Sequence, residues 1–286
     1  MRRIRSLSPD SIIMLSHQTG GEPLDHTALG TVGNVHVLPT PGGYGDFSHV
    51  DRYLESAQWL IDNDEPFDWF INLSAQDYPI VNLRDAEREL GQVDEDAMVE
   101  TFSVFSDGSH WPLHRALLRY NYRHTSLGRV TPRRYARTRA LGVVNLVQPW
   151  IRFSPAYLTI GVRATMPFTS EFVCYGGSFF ANLSRRAVLE VIDFGERRPE
   201  FVAWARRVVA PEEIYLQTVL GNAPDLTVRN DSLRYFDFSA SRANHPNVLT
   251  EADLPAMLAS GAWFARKFDQ DAPVLDRLDG LLDAYV

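Results

Sequence analysis

Three short apolar runs near the start of the chain, Ser11 to Ser16, Asn34 to Leu38 and Asp68 to Leu73, are bounded by Gly, Pro or Asp. That is the pattern of buried strands. Between the second and third, Val50, Tyr53, Leu54, Ala57 and Leu60 recur at helical spacing from about Phe47 to Ile61, before Asp62-Asn63-Asp64 ends the stripe. The alternation continues, with Ala97 to Phe105 and Ser178 to Leu183 reading as strands and Ser184 capping a helix to Ile192. Pro211, with Glu212 and Glu213 behind it, opens a helix that Gly221-Asn222 closes. Leu233 to Phe238 is a further strand, and Thr250 caps a helix to Leu258. This order predicts an α/β fold with a central sheet flanked by helices, whose ligands sit outside the carboxyl ends of the strands. Residues 107–170 depart from the pattern; rich in Arg, Tyr, Pro and His, they predict an excursion over the sheet within a single domain 1–286.

Composition narrows the classes. A chain of 286 residues that is 45% hydrophobic and 22% charged can bury a large core. Its longest apolar runs fall far short of the roughly 20 residues that span a bilayer. The basic start, Met1 to Arg5, runs into Ser6-Leu7-Ser8-Pro9-Asp10, where a signal peptide would place its apolar stretch. One cysteine, Cys174, allows no internal disulfide and no cysteine metal motif. A cytoplasmic location is expected. The net charge of −8 argues against nucleic-acid binding, so the basic stretch Arg133 to Arg139 reads as a solvated face. Of 28 basic residues only Lys267 is a lysine, a compact point charge where every other position carries a planar fork.

No Walker loop, Rossmann glycine fingerprint, His-Glu-x-x-His or nucleophile elbow is present. Asp62-Asn63-Asp64 and Asp94-Glu95-Asp96 have the spacing of a metal-diphosphate pair, but each precedes a strand rather than ending one. Both read as surface turns, and no metal site is expected. Four other segments stand out: Leu73-Ser74-Ala75-Gln76-Asp77-Tyr78-Pro79-Ile80 after a strand, Gly177 to Arg185 across a strand and a helix start, Pro211-Glu212-Glu213, and Phe264-Ala265-Arg266-Lys267-Phe268. Taken singly, these are a turn, a glycine-led strand, an acidic helix start and a salt-bridging lysine.

In order and content these segments resemble those of the core-2/I-branching glycosyltransferases, a family that includes peptide xylosyltransferases. Leu233 to Phe238, His245-Pro246 and Leu249-Thr250 are similar too, so the resemblance covers roughly Ser11 to Leu282. It implies a GT-A type fold and metal-independent, inverting transfer of xylose or N-acetylglucosamine from a UDP-sugar to a hydroxyl of a glycan or other acceptor. It implies Glu213 as catalytic base, with Glu212 where the family has Asp. Lys267 would neutralise the leaving diphosphate with an arginine or its substitute, for which Arg242, His245 and Arg266 are the candidates. Tyr44 and Gln18 would lie beside the donor, and Glu100 and Arg115 would contact the acceptor sugar, with Asp77, Tyr235 and Gly177 on the same side. The family's first strand and helix have no counterpart here, and Ser16-His17-Gln18 stands where the family has a His-x-Asp that contacts uracil. An altered base-binding end is therefore expected. The alternatives are a glycan- or nucleotide-binding relative without turnover, and a hydrolase using Glu212 and Glu213; adjacent helical residues point about 100° apart and do not flank one bond.

Overall fold

The computed structural model describes residues 1–43, 45–128, 131–239 and 245–283. The centre is a mixed four-stranded sheet in the order Val228–Arg229, Ala97–Val99, Ala181–Ser184, Trp69–Ile71. Ala181–Ser184 runs antiparallel to both neighbours, while Val228–Arg229 is parallel to Ala97–Val99. The expected α/β class is observed, as a mixed sheet. Helix Ser48–Asp62 buries the predicted stripe of Val50, Tyr53, Ala57 and Leu60. Helix Arg185–Arg197 buries Ala187, Val188, Val191 and Phe194. Ser184 caps it as read from sequence, its hydroxyl accepting the Ala187 N–H at 3.2 Å. Helix Tyr215–Gly221 is buried on nearly all sides, its polar Gln217 and Thr218 donating hydrogen bonds to the Ser178 and Tyr175 carbonyls.

Ile13–Gln18 and Val35–Thr40 form a separate parallel pair, whose first strand contacts helix Ser48–Asp62. A three-stranded sheet of Arg234–Phe236, Phe264–Arg266 and Tyr78–Pro79 brings the C-terminal motif against the turn that follows Trp69–Ile71. Its outer core of Ile80, Leu249, Met257 and Phe268 is covered by helices Leu254–Ala259 and Pro273–Asp283. The N-terminal residues, for which the sequence pattern gives no element, form helix Arg2–Leu7. It is held by buried Leu7 and by Arg3 pairing with Asp279 at 2.8 Å and Asp283 at 2.6 Å.

Three expected elements are broken. The strand over 97–105 splits into Ala97–Val99 and Phe102–Ser103, leaving Glu100 between them. The strand over 178–183 begins only at Ala181, and the helix from Pro211 is a 3-10 turn, Pro211–Glu213, that stops at Ile214 before the α-helix starts. Glu100, residues 177–180 and Glu213 all lie at these breaks. The excursion is more regular than expected, with helices Leu113–Tyr120 and Pro132–Leu141 and an antiparallel sheet of Tyr122–Ser126, Thr159–Arg163 and Ile151–Ser154. It is tied to the core where the His124 N–H donates to the Arg207 carbonyl at 2.6 Å and the Tyr120 hydroxyl to the Ala210 carbonyl at 3.4 Å.

Candidate active site

The break at Ala210 sets up the first half of the site. Ala210 holds φ of 53°, a left-handed conformation costly for a side chain with Cβ, and its N–H is fixed by the Gly45 carbonyl at 3.0 Å. Pro211 then starts the tight turn that separates the two glutamates. Glu213 carries a side chain 36% exposed and pairs with Arg119 from the excursion. Glu212 turns inward, with one carboxylate oxygen buried and without a hydrogen-bond partner. Burial pushes its carboxyl up to about 7, with a main-chain N–H opposing and the Glu213 charge adding to the rise. Arg119 behaves oppositely: burial, the largest single effect, would lower its pKa, but the Glu213 carboxylate acting together with Tyr120 and Tyr157 outweighs it and the net shift is upward. Its guanidinium also sits 5.4 Å from the Trp111 ring centroid. Of two adjacent carboxylates, one is buried toward its neutral form and the other is ion-paired and open to solvent.

Residues 177–180 connect this half to the second. The Gly177 N–H donates to the Glu213 carbonyl at 3.0 Å. A Cβ on Gly177 would fall 2.0 Å from the Glu100 carbonyl oxygen, so only glycine permits this approach. The Ser178 N–H donates to Glu100 Oε2 at 2.9 Å, and Gln217 Nε2 donates to the Ser178 carbonyl at 2.5 Å. Asn72 clamps the far end, donating to the Phe179 carbonyl at 3.0 Å and accepting the Ala181 N–H at 2.7 Å. Phe180 then lies under Arg266, whose guanidinium is 4.6 Å from its ring centroid. From Gly177 to Phe180 the chain can span at most about 11 Å. The two halves are therefore neighbours.

The second half is a buried charge cluster. The Asp77 carboxylate has 0% side-chain exposure, accepts the Ser74 N–H at 2.5 Å and faces Arg266 Nε at 3.4 Å. Burial pushes its carboxyl up, opposed by Ser74 and by the charges of Arg266 and Arg234. Arg234 is buried, donates to Asn72, Ser232 and Asn182, and is pushed down to about 10 by that burial. Lys267 follows Arg266 directly. Its main chain is fixed by the Leu249 N–H at 2.9 Å, and the Phe268 N–H donates to the Gln76 carbonyl at 3.0 Å. The Lys267 side chain is half-buried, and among the described residues its ammonium has no carboxylate partner.

The structure thus brings Glu213, Glu100 and Gly177 together, and Asp77 and Arg266 together, with the Lys267 main chain next along the strand end. Arg115 is exposed one helical turn before Arg119, on the same helix face. Tyr235 lies on the opposite side of its strand from Arg234, packed on the cluster of Leu249, Ala265 and Phe268. Gln18 ends its strand and packs against Gly42, where an added Cβ would fall 2.5 Å from its side chain. His245 is exposed; Tyr44 and Arg242 lie outside the described residues. Sequence reading missed Arg119, whose signal was its four-residue spacing from Arg115, and Arg234, whose signal was a charge inside an apolar strand. Of the two Asp-x-Asp segments, Asp96 accepts from the Thr227 N–H at 3.0 Å and Arg186 at 3.1 Å, and Asp62 and Asn63 end and cap a helix.

The sequence profile of the Core-2/I-Branching enzyme matches residues 21–258. This chain belongs to that family. The match spans the Asp77 turn, the Gly177 segment and the two glutamates, and ends before Lys267. Among curated proteins, the chain is similar to three beta-glucuronosyltransferases of Arabidopsis thaliana. It is 28% identical to GlcAT14B over 284 residues, covering 97% of this chain and 58% of that protein. Identity to GlcAT14A is 27% over 251 residues, 86% and 50% of the two chains, and to GlcAT14C 26% over 233 residues, 79% and 52%. The chain therefore spans about half the length of the curated relatives it matches. Their names specify glucuronosyl transfer, not the xylosyl or N-acetylglucosaminyl transfer expected above.

Proposed function

We propose that this core-2/I-branching family member is an inverting glycosyltransferase that moves a sugar from a UDP-sugar to a hydroxyl of a glycan acceptor without a metal ion. The observation that supports this best is the division between Glu212, buried, and Glu213, open and ion-paired. Glu213 accepts the proton of the acceptor hydroxyl while that oxygen forms a bond to the anomeric carbon. The bond from that carbon to the diphosphate oxygen breaks on the opposite face, so UDP departs and the configuration inverts. Arg119 orients the Glu213 carboxylate from the acceptor side. Lys267, beside Arg266, supplies positive charge to the departing diphosphate. Glu100, fixed by Ser178, presents its second oxygen to the acceptor sugar.

UDP-glucuronic acid, suggested by the relatives' names, joins UDP-xylose and UDP-N-acetylglucosamine as a donor to compare. The test is transfer from each donor to a panel of glycans. Lys267→Ala should lower the rate at least about tenfold, with EDTA having little effect. Loss of activity in EDTA, restored by manganese, would refute the metal-free reading.

A further inference from the structure

Between Asp107 and Glu171 the sequence has no carboxylate and ten arginines, in a chain whose formal net charge is −8. One sign of charge is gathered in the excursion. Residues 145–151 of the same segment invert the usual arrangement, with polar side chains turned in and apolar ones out. Asn145 donates to the Phe153 carbonyl and accepts its N–H, each at 2.9 Å. Gln148 accepts the N–H groups of Trp150 and Ile151 at 2.7 and 2.8 Å and donates to the Ile151 carbonyl at 2.7 Å. The turn is thus held from within, and Leu146, Val147 and Trp150 stand 85%, 79% and 66% exposed.

The apolar surface continues onto the sheet, where Ile151 faces Val162 across the strand pair and both are exposed. Arginines border it. The Arg163 guanidinium lies 5.9 Å from the Trp150 ring centroid. Helix Pro132–Leu141, which packs beside this turn and strand, carries exposed Arg133, Arg137 and Arg139. A glycan would stack on Trp150 but has no use for Leu146 and Val147. A nucleic acid would pair with the arginines and leave the same aliphatics in water. An anionic lipid surface engages both, its phosphates pairing with guanidinium groups while aliphatic side chains and Trp enter the headgroup boundary.

We propose that this face docks the protein peripherally on an anionic phospholipid surface, with Leu146, Val147 and Trp150 inserted and the arginines of helix Pro132–Leu141 on the headgroup phosphates. The acidic remainder of the chain is repelled by such a surface, which selects this face. The inference stands apart from the catalytic reading, since none of these residues belongs to the active site.

Co-sedimentation tests it, using phosphatidylcholine vesicles with and without about one third phosphatidylglycerol. The protein should pellet with the mixed vesicles, less so at high salt, and stay in solution with phosphatidylcholine alone. Arg133→Glu with Arg137→Glu, and separately Leu146→Ser with Val147→Ser, should each weaken binding at least about tenfold while the unfolding midpoint stays put. Spin-labelled lipid should quench wild-type fluorescence more than that of Trp150→Phe. Equal pelleting with both vesicle types, or none, overturns the proposal. So does retention of binding by the Leu146/Val147 variant together with binding to heparin, which would assign the face to a soluble polyanion. A dimer that this variant abolishes, without vesicle binding, would assign it to a second copy of the chain.

Discussion

Replacing Glu212 by Gln keeps the side chain's shape and removes its ionisation, so the variant isolates the energetic effect of one buried carboxyl. That group titrates near 7 in the folded chain and near 4.5 when unfolded, a difference of about 3 kcal/mol in proton affinity. Because the folded value is the higher, the folded state holds more protons between these two pH values. Stability contributed by this group is therefore lost as pH rises through the window, and the full penalty is present above about 7. The unfolding free energies of wild type and Glu212→Gln, measured by urea titration from pH 4 to pH 8, should diverge by up to about 3 kcal/mol in favour of the variant. A constant difference across that range would show that Glu212 is not buried toward its neutral form. The division of roles between the two glutamates would then lose its basis.

Asp77→Asn removes the carboxylate facing two arginines, Arg234 buried and Arg266 largely so, and should cost about 3–5 kcal/mol in urea unfolding; a loss under 1 kcal/mol would mean that the cluster is solvated. Gly177→Ala places a Cβ against the Glu100 carbonyl and should destabilise by about 1–3 kcal/mol while displacing Glu100, read as a raised acceptor KM. Burial pushes His124 down to about 4 from its ordinary 6.5, so the unfolded chain binds more protons across that window and stability should fall as pH drops through it. His124→Gln should flatten that acid-side loss in thermal melts.

Much of the scaffold was legible because its signals are local. The stripe of Val50, Tyr53, Ala57 and Leu60 and the Ser184 and Thr250 caps each depend on residues three or four apart, and each is observed, Thr250 as part of a capping box with Asp253 that was not read from the sequence. The site was legible only in part. Motif order pointed to Glu213, Gly177, Asp77 and Lys267, but the contacts that define their surroundings join distant parts of the chain. Arg119 meets Glu213, Ser178 meets Glu100, and Asp77 meets Arg266, and periodicity carries no information about such pairs. The breaks at Glu100, residues 177–180 and Ile214 run against local propensity, which favours continuing each element. They lie where the proposed site is formed, the kind of place where local preference is overruled. The excursion's sheet was missed because polar residues such as Arg123, Thr125 and Ser126 leave its strands without a continuous apolar face.

The central claim, that Glu213 takes the acceptor proton without help from a metal, is tested most directly by single-turnover transfer from a UDP-sugar in EDTA. Wild type should transfer, and Glu213→Gln should be slower by about 10²- to 10⁴-fold with donor binding unchanged. Transfer by Glu213→Gln within a few-fold of wild type would contradict the assignment.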